Sequence, residues 1–161
     1  MISIEPDSSK DFMSHLFIKD TFDHFLCREF HTDTFVSFTI DGRMFTDFLN
    51  DIEKEELAGN DYAPWSMLKP HCFNIIKGNR TPLSMRIVFA MPPHSILGFI
   101  SGNGLNIRPE DISGLYLNIR YENKALSVVT GTSLNTFTLD KSVENAWDTT
   151  VEHFIKKTQG Q

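Results

Sequence analysis

Glu29, His31 and Asp33 alternate along one stretch, so in an extended strand their side chains share a face. Carboxylate, imidazole and carboxylate at that spacing can ligate a metal ion, or hold a histidine as a general base. Metal sites usually draw ligands from several elements, however, and a solvent-facing strand accounts for the same trio. Lys77, Arg80 and Arg86 surround Gly78-Asn79. A basic turn with free backbone N–H groups can hold a phosphate or carboxylate. Cations at a helix C-terminus are also favoured by the helix dipole alone, and such an end presents carbonyls rather than amides. The segment is not a phosphate loop, because Gly-x-x-x-x-Gly-Lys-Ser/Thr is absent. Lys77 and Arg80 are still the best anion-binding candidates in the chain.

Thr130-Gly131-Thr132-Ser133 is rich in hydroxyls, with Gly131 suited to a bulge or a positive φ between two strands. Ser133 has no nucleophile-elbow motif around it. Gly102-Asn103-Gly104 lacks the third glycine and the strand–turn–helix context of a dinucleotide fingerprint. His71 and Cys72 are neighbours, which a helix points in different directions, so they make no dyad. His15, His24, His94 and His153 show no metal-ligand spacing. No catalytic residue, metal site, cofactor or disulfide is expected.

The elements that carry these residues follow from apolar periodicity. Ser8 is placed to cap a first helix with Phe12 and Leu16 inward. Period-two alternation over 27–40 predicts one long bent strand or two strands in line, with Phe30, Val36, Phe38 and Ile40 on the apolar side. An acidic helix over 47–56 would turn Phe48, Leu49 and Ile52 inward. Asp61 would cap a second helix carrying Trp65, Leu68, Cys72 and Ile76, kinked or split at Pro70. Leu83, Met85, Ile87 and Phe89 mark a strand, and Pro92-Pro93 opens a short helix with Ile96, Leu97 and Ile100.

The last third is the clearest. Leu115, Leu117, Ile119 and Tyr121 alternate with Tyr116, Asn118 and Arg120, and Glu122-Asn123 sits at a hairpin turn. Two short strands follow, around 125–130 and 133–139. Asp140 caps a helix whose stripe is Val143, Ala146, Trp147, Thr150, Val151, Phe154 and Ile155. The fold class is therefore α+β: two layers, a mainly antiparallel sheet with a C-terminal helix packed on one face, in a single domain over 1–161.

Three blocks give a further lead: Phe38-Thr39-Ile40-Asp41-Gly42-Arg43, Ile76-Lys77-Gly78-Asn79-Arg80-Thr81-Pro82-Leu83, and Leu117-Asn118-Ile119-Arg120-Tyr121 followed by Thr130-Gly131-Thr132-Ser133-Leu134 and Phe137-Thr138-Leu139-Asp140-Lys141. Together the chain resembles an uncharacterised family of bacterial proteins, described as a domain of unknown function in Firmicutes. That resemblance implies a bacterial cytoplasmic setting. It transfers no activity, cofactor or catalytic residue.

With 161 residues the chain can bury a full core without staples. Its 14 Phe residues imply either a well-filled core or an aromatic cavity between sheet and helix that holds an apolar ligand. A formal charge of −6 weighs against nucleic-acid binding. Absence of a leader and of a long apolar run predicts a cytoplasmic protein away from membranes, with Cys27 and Cys72 reduced. The second face of the sheet carries Arg86, Tyr116, Asn118 and Arg120, either solvated or an interface for a protein partner or a second copy. The leading expectation is a non-catalytic protein-interaction module that binds a protein partner or forms a homodimer. The alternatives are a small-molecule binding protein with an aromatic cavity, and an enzyme whose site is assembled from distant residues.

Overall fold

The computed structural model describes residues 1–160, so the last residue of the predicted 1–161 domain lies outside the described residues. Six strands are present among them: β1 (Ser3–Ile4), β2 (Leu26–Asp33), β3 (Ser37–Asp41), β4 (Ser84–Ala90), β5 (Ile112–Glu122) and β6 (Ala125–Leu134). Five helices accompany them: α1 (Ser9–Phe17), α2 (Asp51–Glu56), α3 (Trp65–Ile76), α4 (Pro93–Gly102) and α5 (Ser142–Gln159). The strands form one sheet in the order β1-β6-β5-β4-β2-β3, antiparallel at every step. Helix α5 lies against β6, α3 against β2, and α1 touches both helices. This is the α+β architecture that the sequence pattern predicts.

Alternation decides which face is covered. Phe30, Ile87, Leu117, Ile119 and Val128 are fully buried beneath the helices. Val143, Trp147, Val151 and Ile155 form the buried stripe of α5, as their spacing requires. Removing a Val or Ile side chain of that stripe from water contributes roughly 1.5–3 kcal/mol. Trp65 fills the junction of α1, α3 and the sheet, where its indole N–H donates to the Leu16 carbonyl at 2.7 Å and its ring meets Phe89 at 5.2 Å. Phe22, Phe25, Phe89 and Phe154 stack around one another next to it, so much of the phenylalanine content is core.

Several local expectations are corrected. The 27–40 stretch is a hairpin, with Asp33 opposite Ser37 and Thr34-Phe35-Val36 at the tip. A three-residue tip preserves strand parity, so the alternation continues through the turn and hides it. At the tip the Thr34 N–H donates to the Val36 carbonyl at 2.9 Å, and Phe35 is 87% exposed. Val36 is exposed as well. The acidic helix shrinks to α2, closed by a reciprocal Asn50–Glu53 capping box, and Phe48 and Ile52 point to solvent. Helix α3 starts at Trp65 rather than after Asp61, and it runs through Pro70 unbroken. Pro70 stands mid-helix, where its missing N–H costs one bond to the Ser66 carbonyl.

Strand β6 is continuous across Thr130-Gly131-Thr132-Ser133, where a break was expected. Gly131 is there a strand residue opposite Tyr116, and the predicted 133–139 strand is absent beyond Leu134. The hairpin turn falls on Asn123-Lys124, both with positive φ, one residue later than expected. Asp140 sits just outside α5, accepting a hydrogen bond from the Ser142 N–H at 2.9 Å. Leu83 and Leu97 are exposed.

Candidate functional site

Helices α3 and α5 pack on the apolar side of the sheet, and among the described residues no helix packs on the opposite, open face. Glu29, His31 and Asp33 of β2 point out there, beside Ser37, Thr39 and Asp41 of β3. The trio is knitted into its own neighbours. Arg86 forms an ion pair with Glu29. His31 lies 2.8 Å from the Thr39 hydroxyl and 3.2 Å from Asp33. Hydroxyls of Ser37 and Ser84 donate to the Asp33 carboxylate and hold it below the usual carboxylate range. Among the described residues no three His, Cys, Asp or Glu side chains converge as a metal cluster.

Arg86, Tyr116, Asn118 and Arg120 all emerge on this open face, on β4 and β5. Arg86 and Arg120 are direct cross-strand partners, and Asn118 stands opposite Val88. Like charges directly opposite destabilise a sheet. Glu29 relieves Arg86, but Arg120 is exposed and has no ion pair among the described residues. Lys77 and Arg80 lie elsewhere, at the hairpin end of the sheet. They line an open hollow of about 420 Å³ with Phe35, Ile76 and Leu83.

The tertiary structure assembles one further group that sequence reasoning missed. Arg28 sits in a β-bulge of β2, where the register against β4 shifts between Cys27 and Glu29. A bulge re-aims a side chain, and here it sends the guanidinium to the open face. The Arg28 guanidinium carbon lies 4.9 Å from the Tyr62 ring centre and 5.2 Å from that of Tyr116. Arg43 lies over the same Tyr62 ring at 5.6 Å. Both arginines reach the Tyr62 hydroxyl oxygen, at 3.2 Å and 3.4 Å. That hydrogen bond holds the Arg28 guanidinium even more firmly protonated.

Two glycines make the cluster sterically feasible. A Cβ on Gly42 would stand 1.7 Å from the Cys27 carbonyl oxygen, and one on Gly114 would stand 2.1 Å from the Tyr116 hydroxyl. No other glycine is crowded this closely among the described residues. Gly42 lets the chain after β3 close on the bulge, where its N–H donates to the Arg28 carbonyl at 3.0 Å. Gly114 lets the Tyr116 ring lie along its own strand, next to a second register shift between Ile112 and Gly114. One signal was available in the sequence: Arg28 falls in the same alternation register as Phe30, and a charge in an apolar register marks a bulge.

A family model described as "Family of unknown function (DUF5721)" matches residues 15–161. The chain belongs to this family. No curated protein and no solved structure matches it.

The remaining features of this DUF5721 chain are hollows and thiols. Between α5, the start of α4 and the sheet lies an apolar hollow of about 170 Å³, lined by Phe25, Met91, Leu117, Trp147 and Phe154. His24 borders it, and partial desolvation there pushes its pKa down. Cys27 and Cys72 are both free and buried. Burial pushes both thiols up, Cys72 to about 12, so neither is a thiolate at neutral pH. No helix among the described residues is long and apolar enough to cross a membrane.

Proposed function

We propose that this chain is a non-catalytic interaction module that works through the open face of its sheet, and that the occupant of that face is a second copy of itself. The charge pattern carries the reading. Arg86 and Arg120 make a basic strip on β4 and β5, while Glu29, Asp33 and Asp41 make an acidic strip on β2 and β3, with Arg28 and Arg43 at one end of it. A two-fold axis between the strips sets each basic strip over the other copy's acidic strip, so one patch complements itself. Size supports it too. Six strands by seven residues span roughly 29 by 23 Å at about 4.8 Å per strand and 3.3 Å per residue. With side-chain relief, that approaches the ~800 Å² per partner of a standard interface.

Tyr116 supplies the aromatic anchor and Asn118 a polar contact. One continuous core from Phe12 to Ile155 supports a single domain; the setting we propose is the bacterial cytoplasm that the resemblance implies, and the two free thiols fit its reducing conditions. Light scattering tests the assembly. The parent should weigh twice 18.4 kDa, and Arg120→Glu, which sets acid against acid, should return it to 18.4 kDa with its circular dichroism unchanged. A parent mass of 18.4 kDa at every concentration overturns the proposal.

Small-molecule binding beneath α5 is the second reading, favoured by the aromatic lining of that hollow. Its volume of about 170 Å³ ranks it lower, because ligand pockets usually hold about 300–1,000 Å³.

A further inference from the structure

We propose that the Arg28–Arg43–Tyr62–Tyr116 cluster is a binding site for a small phosphomonoester carrying free hydroxyl groups. The site shares Tyr116, Glu29 and Asp41 with the face proposed above to meet a second copy, but it rests on the two guanidinium groups and stands whether or not the chain dimerises. Two guanidinium groups converge there on one phenolic oxygen, and among the described residues neither is paired with a carboxylate. The nearby carboxylates are engaged otherwise. Glu29 is held by Arg86, and Asp41 accepts the Arg43 backbone N–H at 3.0 Å. Most of the donors on Arg28 and Arg43 therefore have no protein acceptor, while the tyrosine faces keep the Arg28 group in place. Two cations fixed side by side without a counter-charge are the arrangement that a phosphate neutralises with paired, charge-assisted hydrogen bonds.

The surroundings are built for a ligand and not only for the charge. Two open surface hollows meet at Arg28 and Tyr62, of about 520 Å³ and 280 Å³. Each approaches or falls within the range that small ligands occupy. Thr39 lines the larger one with Glu29 and Asp41, and the Thr39 hydroxyl and the carboxylate oxygens not taken by Arg86 or the Arg43 N–H can accept hydrogen bonds from hydroxyl groups on the ligand body. The same two carboxylates repel a second anionic group, which selects a single phosphate over a polyanion. Two strand irregularities and the two crowded glycines converge on this one place, and bulges recur next to functional sites, where they re-aim a side chain. The net charge of −6 makes the site's anion preference a local property of these residues.

Titration of the full chain at low ionic strength, followed by amide and arginine side-chain NMR, tests this. The probes are inorganic phosphate, ribose 5-phosphate and succinate. Ribose 5-phosphate should shift the Arg28 and Arg43 side-chain signals and the Gly42 amide, and should bind at least about tenfold more tightly than inorganic phosphate, the equivalent of one good hydrogen bond. Arg43→Gln, at an exposed position, should weaken it by about tenfold or more, whereas Lys77→Gln should leave it unchanged. Three results overturn the proposal: no shift at the cluster, shifts confined to Lys77–Thr81, or succinate binding as tightly as ribose 5-phosphate. Light scattering of the same samples separates this outcome from the fate of the dimer.

Discussion

Trp147 offers the sharpest test of how the helix layer is joined to the sheet. Its side chain is 1% exposed, its ring meets Phe99 edge-on at 5.8 Å, and its indole N–H donates to the Tyr116 carbonyl at 3.0 Å. Trp147→Ala removes both the packing and the bond, and large-to-small changes of this kind cost about 3–5 kcal/mol. Trp147→Phe keeps most of the ring but leaves the carbonyl without its donor, a loss of about 1–3 kcal/mol. At about 2–4 °C per kcal/mol for a chain of this size, the melting temperature should fall by roughly 6–20 °C for alanine and 2–12 °C for phenylalanine. Scanning calorimetry of the three proteins gives the ordering. If Trp147→Phe is as damaging as Trp147→Ala, packing is not the larger part. If both melt with the parent, α5 does not lie where it is described.

The two crowded glycines should respond differently to alanine. At Gly42 the new methyl meets the backbone carbonyl of Cys27, which cannot move alone, so Gly42→Ala should cost about 1–3 kcal/mol or more in chemical denaturation. At Gly114 it meets the flexible end of Tyr116, so Gly114→Ala should melt close to the parent while displacing the ring from Arg28, visible as a changed Tyr116 ring signal in NMR; an unmoved ring refutes the packing. Asp33 is held ionised by two hydroxyls, so its contribution is full above the ordinary carboxylate pKa of about 3.9 and is lost as pH falls through its lower folded value. The stability gap between the parent and Asp33→Asn should accordingly shrink on acidification, and a constant gap argues against the charge. Both thiols should resist a disulfide reagent at pH 8 in the native protein and react on unfolding; fast native reaction of either one contradicts its burial.

Period and parity account for what could be read from the chain alone. Leu115, Leu117 and Ile119 declare a strand and its buried face, and Val143, Trp147, Val151 and Ile155 declare a helix stripe, because burial selects residues at the period of the element. The same property misleads at Thr34-Phe35-Val36, where an odd-length turn keeps the alternation intact. It misleads again at Gly131, where a glycine that reads as a turn is simply a place opposite Tyr116 in a continuous strand. Phe48 and Ile52 look like an inward stripe, yet a six-residue helix on the periphery has no layer to bury them against.

The open face shows the division most plainly. Alternation alone determined that Arg86, Tyr116, Asn118 and Arg120 share a side of the sheet. It could not determine that Arg86 and Arg120 are neighbours, since that depends on the register between two strands separated by a helix. The Arg28–Arg43–Tyr62–Tyr116 cluster was further out of reach. Its members come from a bulge, a loop after β3, the approach to α3 and a strand far along the chain. What joins them is the strand order, with β4 inserted between β2 and β5, and the backbone closeness that two glycines permit. A sequence states what each segment prefers to bury; only the packed sheet decides which charges are left facing one another without a counter-ion.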